Sequence, residues 1–232
     1  MRRRWPLYGI VGIVNCALPF LLFGYAALNL PASYMVILNA AAPLFSALLA
    51  PLWLGERLTP IKLGGLALGA AGVTLVSGAG PVTPDAGFLL AVAASLGAAL
   101  CYALSGIYLK RRGAGAAPLA IAGWSQLFGG LVLLPLALAQ PPTAAVTPAI
   151  AANLLVLALV CSGVAYLLYF RLIADLGPTR ALTVTFLMPA FGLVWGALFL
   201  GEAVTAPMLA GAALVVAGSA AVLLPAALRP RT

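Results

Sequence analysis

Glu56, Asp85, Asp175 and Glu202 are the four acids in 232 residues, and the chain has no histidine. Acid–base catalysis and metal ligation both need such side chains to converge on one point. These four are scattered along the chain, so no catalytic residue, no metal site and no cofactor is expected. Cys16, Cys101 and Cys161 are an odd number set inside apolar runs, which reads as buried free thiols rather than a disulfide framework. The groups left to meet a solute are uncharged: Asn15, Asn39, Tyr102, Trp124, Gln126 and Tyr166 are the lining candidates. Side chains of this kind hydrogen-bond or stack on a molecule without reacting with it, and suit neutral, zwitterionic or aromatic solutes. For each of them the structural alternative is a hydrogen bond between helices, or for Trp124 an anchor at a membrane surface.

The elements that carry these groups follow from composition. Hydrophobic residues make up 64% of the chain and charged residues 7%, a balance that leaves too little polar surface to cover a soluble core. Apolar runs of about 20 residues match the roughly 30 Å hydrocarbon core of a bilayer at 1.5 Å per helical residue. Breaking the sequence at its Pro, Gly and charge clusters predicts an all-α, polytopic membrane bundle of about eight transmembrane helices, near 7–28, 32–54, 61–79, 86–109, 118–139, 149–174, 179–200 and 207–225. The connections are short, so consecutive helices are antiparallel neighbours. The stretch from Leu7 to Leu28 is too long for a cleaved secretory signal and is expected to be retained.

With eight spans, all 12 Lys and Arg fall on one side, while Asp85 and Glu202 lie on the other. The positive-inside rule then places both termini in the cytoplasm and the protein in the inner or plasma membrane. The formal charge of +8 therefore reports topology, and no nucleic-acid partner is expected; the partners are the lipid bilayer and a small-molecule substrate.

The sequence also repeats. Pro43-Leu44-Phe45, followed by Leu54-Gly55-Glu56-Arg57-Leu58-Thr59, returns as Pro189-Ala190-Phe191, followed by Leu200-Gly201-Glu202-Ala203-Val204-Thr205, each pair 146 residues apart. Held ungapped over 43–73, that offset gives 13 identities in 31 positions. It maps the second span onto the seventh. An odd shift of helices inverts the second copy, placing Glu56 and Glu202 at opposite faces. Inverted repeats are a mark of secondary transporters, in which two related halves rock about a site near the midplane.

Within the repeat, Pro43 and Pro189 fall near mid-membrane, where each is expected to kink its helix and free backbone carbonyls toward protein or a wet cavity. Glu56 and Glu202 end their helices and are expected to cap the first turn of the helix that follows, together with Thr59 and Thr205. Gly65, Gly69 and Gly72, Gly192 and Gly196, and Gly211 and Gly218 are expected to let helices pack closely, with homodimerisation through one of these faces as the alternative.

The doubled Pro-x-Phe, Leu-Gly-Glu-x-x-Thr and Gly-containing helix resemble the EamA family of the drug/metabolite transporter superfamily, over essentially the whole chain. The resemblance implies export or import of amino acids, other metabolites or drugs. It divides the chain into a partial first unit of three helices, 1–80, and a second unit of five, 81–232. Family members usually have ten helices, so the first helix pair is expected to be missing, through a truncated coding sequence or misplaced start, with a natural eight-helix form as the alternative. A non-transporting truncated bundle is one alternative function. An intramembrane enzyme is another, which the scattered acids and absent histidine disfavour.

Overall fold

The computed structural model describes residues 4–78, 85–140, 145–165, 168, 171 and 184–227. All regular structure among them is helical. The helices are α1 (Trp5–Ala26), α2 (Ala32–Leu54), α3 (Pro60–Gly78), α4 (Ala86–Arg112), α5 (Pro118–Ala139), α6 (Pro148–Val164), α7 (Val184–Leu200) and α8 (Ala206–Ala227). Six of the described helices, α1 to α5 and α8, are long and apolar enough to cross a membrane; α6 and α7 are shorter and adjoin residues outside the described set.

Local chemistry sets several helix ends. The Asp85 carboxylate accepts the Phe88 N–H at 2.7 Å and caps α4, whose last turn carries Lys110, Arg111 and Arg112 against the negative end of the helix dipole. Thr59 Oγ1 accepts the Lys62 N–H at 3.3 Å at the start of α3. Gly55 and Gly201, 146 residues apart, both adopt the left-handed region, at φ 67° and φ 65°. A side chain is strained there, so glycine follows the last residue of α2 and of α7.

The core gathers Tyr34, Ile37 and Leu38 of α2, Phe88 and Ala91 of α4, Val76 of α3, Leu193 of α7, and Met208 and Val215 of α8. The Tyr34 and Phe88 rings meet edge to face at 5.9 Å. Outside it the surface is apolar: Leu52 is 78% and Phe199 74% exposed, a cost of several kcal/mol in water that vanishes in hydrocarbon.

The tightest seam joins α3 to α8. A β-carbon on Gly65 would lie 2.7 Å from the Gly218 carbonyl oxygen, and one on Gly72 would lie 2.7 Å from that of Gly211. Contact between backbones is possible only where side chains are absent. The glycine faces of these two helices are thus used within the chain.

α2 is interrupted at depth. Its halves are Ala32–Asn39 and Ala42–Leu54, and the turn tightens between them as the Ala41 N–H reaches back only to Leu38. Pro43 sits in the first turn of the second half, where its missing N–H leaves no bond unmade. The Ala40 carbonyl is satisfied from another helix by the Ser219 hydroxyl at 2.8 Å. α7, by contrast, runs through Pro189, which is buried.

Candidate functional site

A groove of about 510 Å³ lies between α1, α5 and α6 at mid-span, lined by Cys16, Phe20, Gln126, Ser162 and Gly163 among others. Both flanking helices are locally wound as π-helix: Gly12–Ala17 in α1 and Leu157–Val164 in α6. The Leu18 N–H bonds the Ile13 carbonyl and the Ala165 N–H the Val160 carbonyl, each five residues back. In α1 the cause is local, since Pro19 has no N–H to give the Asn15 carbonyl. The offset of 146 carries residues 12–17 onto 158–163, so the widened turns occupy equivalent places in the two copies of the repeat. Such turns are rare and concentrate at functional sites.

α1 is held at the groove by close packing on α5, where a β-carbon on Gly12 would lie 2.8 Å from the Ser125 carbonyl oxygen and one on Gly129 would lie 2.7 Å from Cys16 Cβ. Gln126 is half-buried and is the amide that lines the groove. Among the described residues, the lining carries no charged side chain.

The other lining candidates fall as follows. Asn15 is half-buried on the first π-helical segment. Asn39 ends the first half of α2, and its Oδ1 is buried without a hydrogen-bond partner among the described residues. The Tyr102 ring of α4 lies 6.4 Å from that of Phe23. Trp124 stacks on Tyr8 at 6.5 Å and lies 6.4 Å from Phe128. Tyr166 lies outside the described residues. The structure therefore brings Gln126 and the segment holding Asn15 to one groove and leaves Asn39, Tyr102 and Trp124 on other contacts. Cys16 and Ser162 were not singled out from sequence as lining residues. The repeat offset, which pairs them, is the signal that could have found them.

The two glutamates of the repeat differ from expectation in their partners. Glu202 accepts the N–H groups of Ala32 at 2.6 Å and Ser33 at 3.0 Å, so it caps α2 rather than the helix that follows it. Thr205 Oγ1 is buried with no hydrogen-bond partner among the described residues. Glu56 bridges Lys110 at 2.6 Å and Lys62 at 2.9 Å. Those two ammonium groups, Lys110 first, hold its carboxyl below the usual carboxylate range. Glu202 thus sits at the start of α2 and Glu56 just past its end.

An all-helical bundle with an apolar exterior, a helix broken at depth and a groove between widened turns defines a polytopic membrane transporter. The chain belongs to the EamA-like transporter family, whose model matches residues 1–78 and 89–224. It is 30% identical over 220 residues to a probable terminal-alkyne amino-acid exporter of Streptantibioticus cattleyicolor, covering 93% of this chain and 72% of that one. It is 27% identical over 220 residues to the uncharacterized transporter YvbV of Bacillus subtilis, covering 93% and 71%. A probable amino-acid metabolite efflux pump of Salmonella typhimurium is 27% identical over 224 residues, covering 91% and 71%. A solved crystal structure shares the fold at a TM-score of 0.64 and 20% identity, over 98% of this chain and 78% of that one. The protein is a multi-pass membrane transporter of small metabolites.

Proposed function

We propose that the chain moves uncharged or zwitterionic metabolites, amino acids and their derivatives foremost, by alternating access between two inverted units, 1–80 and 81–232. The observation that carries this reading is the placement of the two π-helical segments, equivalent under the repeat, on either side of one mid-membrane groove. A site between inverted units is what a rocking mechanism uses, because each unit can open it to one face. Gln126 is the hydrogen-bonding group for the solute, and Phe20 and the flanking apolar residues hold its body. Two of the relatives are named for amino-acid or amino-acid metabolite export, which supports that class and the outward direction.

The membrane in this reading is the inner or plasma membrane, with both termini cytoplasmic. Arg4 bonds the Ala114 carbonyl at 2.9 Å and Lys110 pairs with Glu56, so these basic residues cluster at one end of the bundle. The test is efflux and uptake of a panel of labelled neutral amino acids and aromatic derivatives in vesicles carrying the chain. Transport of at least one panel member, reduced about tenfold or more by Gln126→Leu through loss of a buried hydrogen bond, is the expected result. No movement of any member by the wild-type chain overturns the proposal.

A further inference from the structure

Lys62 and Lys110 are the only two lysines in the chain, and both meet one carboxylate. Glu56 Oε2 accepts from Lys62 Nζ at 2.9 Å and Oε1 from Lys110 Nζ at 2.6 Å. All three side chains line the outer end of a cleft of about 160 Å³ between α2, α4 and α8. Its walls are apolar, with Pro43 and Ala50 of α2, Ile107 of α4 and Val222 of α8. Along α2 the cleft runs from Leu54 to Pro43 at the break, about 17 Å at 1.5 Å per residue. Its volume is that of about five water molecules at about 30 Å³ each, enough for a small organic solute. It shares no lining residue with the groove between α1, α5 and α6.

The second copy of the repeat folds without this arrangement. Met208 stands there in place of Lys62, and Glu202 gives its oxygens to the N–H groups of Ala32 and Ser33. The lysines therefore equip one face alone, the face read above as cytoplasmic. Their bonding capacity is also incompletely used. An ammonium group has three N–H donors and a carboxylate about four acceptor positions, whereas each lysine bonds only Glu56 among the described residues. Two ammonium groups on one carboxylate leave a net positive charge over an apolar cleft, and the Lys62 side chain is only 14% exposed. A carboxylate is drawn to the lysines, and the free acceptor positions of Glu56 take an ammonium group beside it. An α-amino acid carries both groups on one carbon. We infer that this cleft is a second recognition site, for an amino-acid zwitterion, with the carboxylate on Lys62 and Lys110, the ammonium on Glu56 and the side chain against Ala50 and Ile107. The assignment rests on the transport reading for its class of solute, and narrows that class to molecules bearing both charges.

Because both lysines line the cleft, isotope-labelled lysine reports on this site and on no other. The full chain, so labelled and held in detergent, gives two ε-methylene resonances, assigned with Lys62→Arg and Lys110→Arg. They are followed by nuclear magnetic resonance while norvaline, pentanoate or butylamine is added. Norvaline carries both charges, and each of the others has the same alkyl chain with one charge removed. Norvaline is expected to move both resonances saturably. Pentanoate should need about tenfold more or higher concentration, the effect of losing one charge-assisted hydrogen bond, and butylamine more again. Glu56→Gln should bring norvaline down to the level of pentanoate. A β-carbon on Gly106, which lines the cleft, meets nothing within 4 Å, so Gly106→Leu fills the space without touching the ion pairs and should abolish the response. No saturable shift with norvaline, an equal response to pentanoate, or an unchanged response in Gly106→Leu overturns the site. Saturable binding here without transport of any solute keeps the site and removes the transport reading, whereas transport that depends on Gln126 with no shift of the lysines removes the site alone.

Discussion

Gly65 packs against the carbonyl of Gly218, and Gly72 against that of Gly211. Since the offset of 146 pairs Gly65 with Gly211 and Gly72 with Gly218, each glycine meets the counterpart of the other. That reciprocity is the signature of a twofold relation running through the α3–α8 seam.

The seam predicts a contrast between neighbours. Gly65→Ala forces a β-carbon to 2.7 Å from the Gly218 oxygen, whereas nothing lies within 4 Å of a β-carbon on Gly64. Thermal unfolding in detergent is expected to show Gly65→Ala destabilised by about 1–3 kcal/mol and Gly64→Ala unchanged. Equal melting of the two variants would mean the seam relaxes at no cost.

Gly55 and Gly201 test backbone conformation alone, because a β-carbon at either meets nothing within 4 Å. Their positive φ predicts a loss of about 1 kcal/mol for alanine at each position, with asparagine milder, since its side chain tolerates the left-handed region. Alanine tolerated as well as asparagine would contradict the φ of the described turns.

Glu56 gives the protein an acid-side dependence. Its carboxyl titrates below the usual range because Lys110 and Lys62 favour the charged form. The unfolded chain therefore binds more protons in that window, and stability rises with pH through it. The contribution is fully present above the ordinary carboxylate range and is lost as pH falls through the lowered value. With about a third of the side chain exposed, screening keeps it under about 1 kcal/mol. Melting curves between neutral and acid pH should show this slope in the wild type, a smaller one in Lys110→Ala, and none when Lys62 is also replaced by alanine.

At the break in α2, Ser219→Ala removes the donor to the Ala40 carbonyl. A cost of about 0.5–1.5 kcal/mol is expected, with Ser219→Thr retaining most of the stability. Melting temperatures of the two variants check it, and an unchanged Ser219→Ala would show that the carbonyl finds another donor.

Much of this architecture was readable from residues in order. Hydropathy placed the second span at 32–54, where α2 runs from Ala32 to Leu54, because Pro31 and Gly55 punctuate it. The fourth span was cut at 109, yet α4 continues to Arg112; three basic residues end the apolar run but favour a helix C-terminus, so hydropathy stops before the helix does. The contacts were less visible. Glu202 was expected to cap its own neighbour and instead reaches a helix opened 170 residues earlier, a choice made by tertiary packing. Pro43 pointed to a kink, whereas the chain breaks three residues earlier and uses proline to restart. The π-helical turns leave no periodic trace in sequences this uniformly apolar, where every face of a helix looks alike.

The α3–α8 seam has a consequence for how such a chain could arise. A contact in which position 65 meets the equivalent of 72, and 72 the equivalent of 65, is complementary to itself. Two separate copies of a single repeat, inserted into a bilayer in opposite orientations, would present the same glycines to one another and form the same crossing as a homodimer. Fusion of two such genes would leave that crossing unchanged, supplying only a tether, after which each copy would be free to diverge everywhere except along the line where backbones touch.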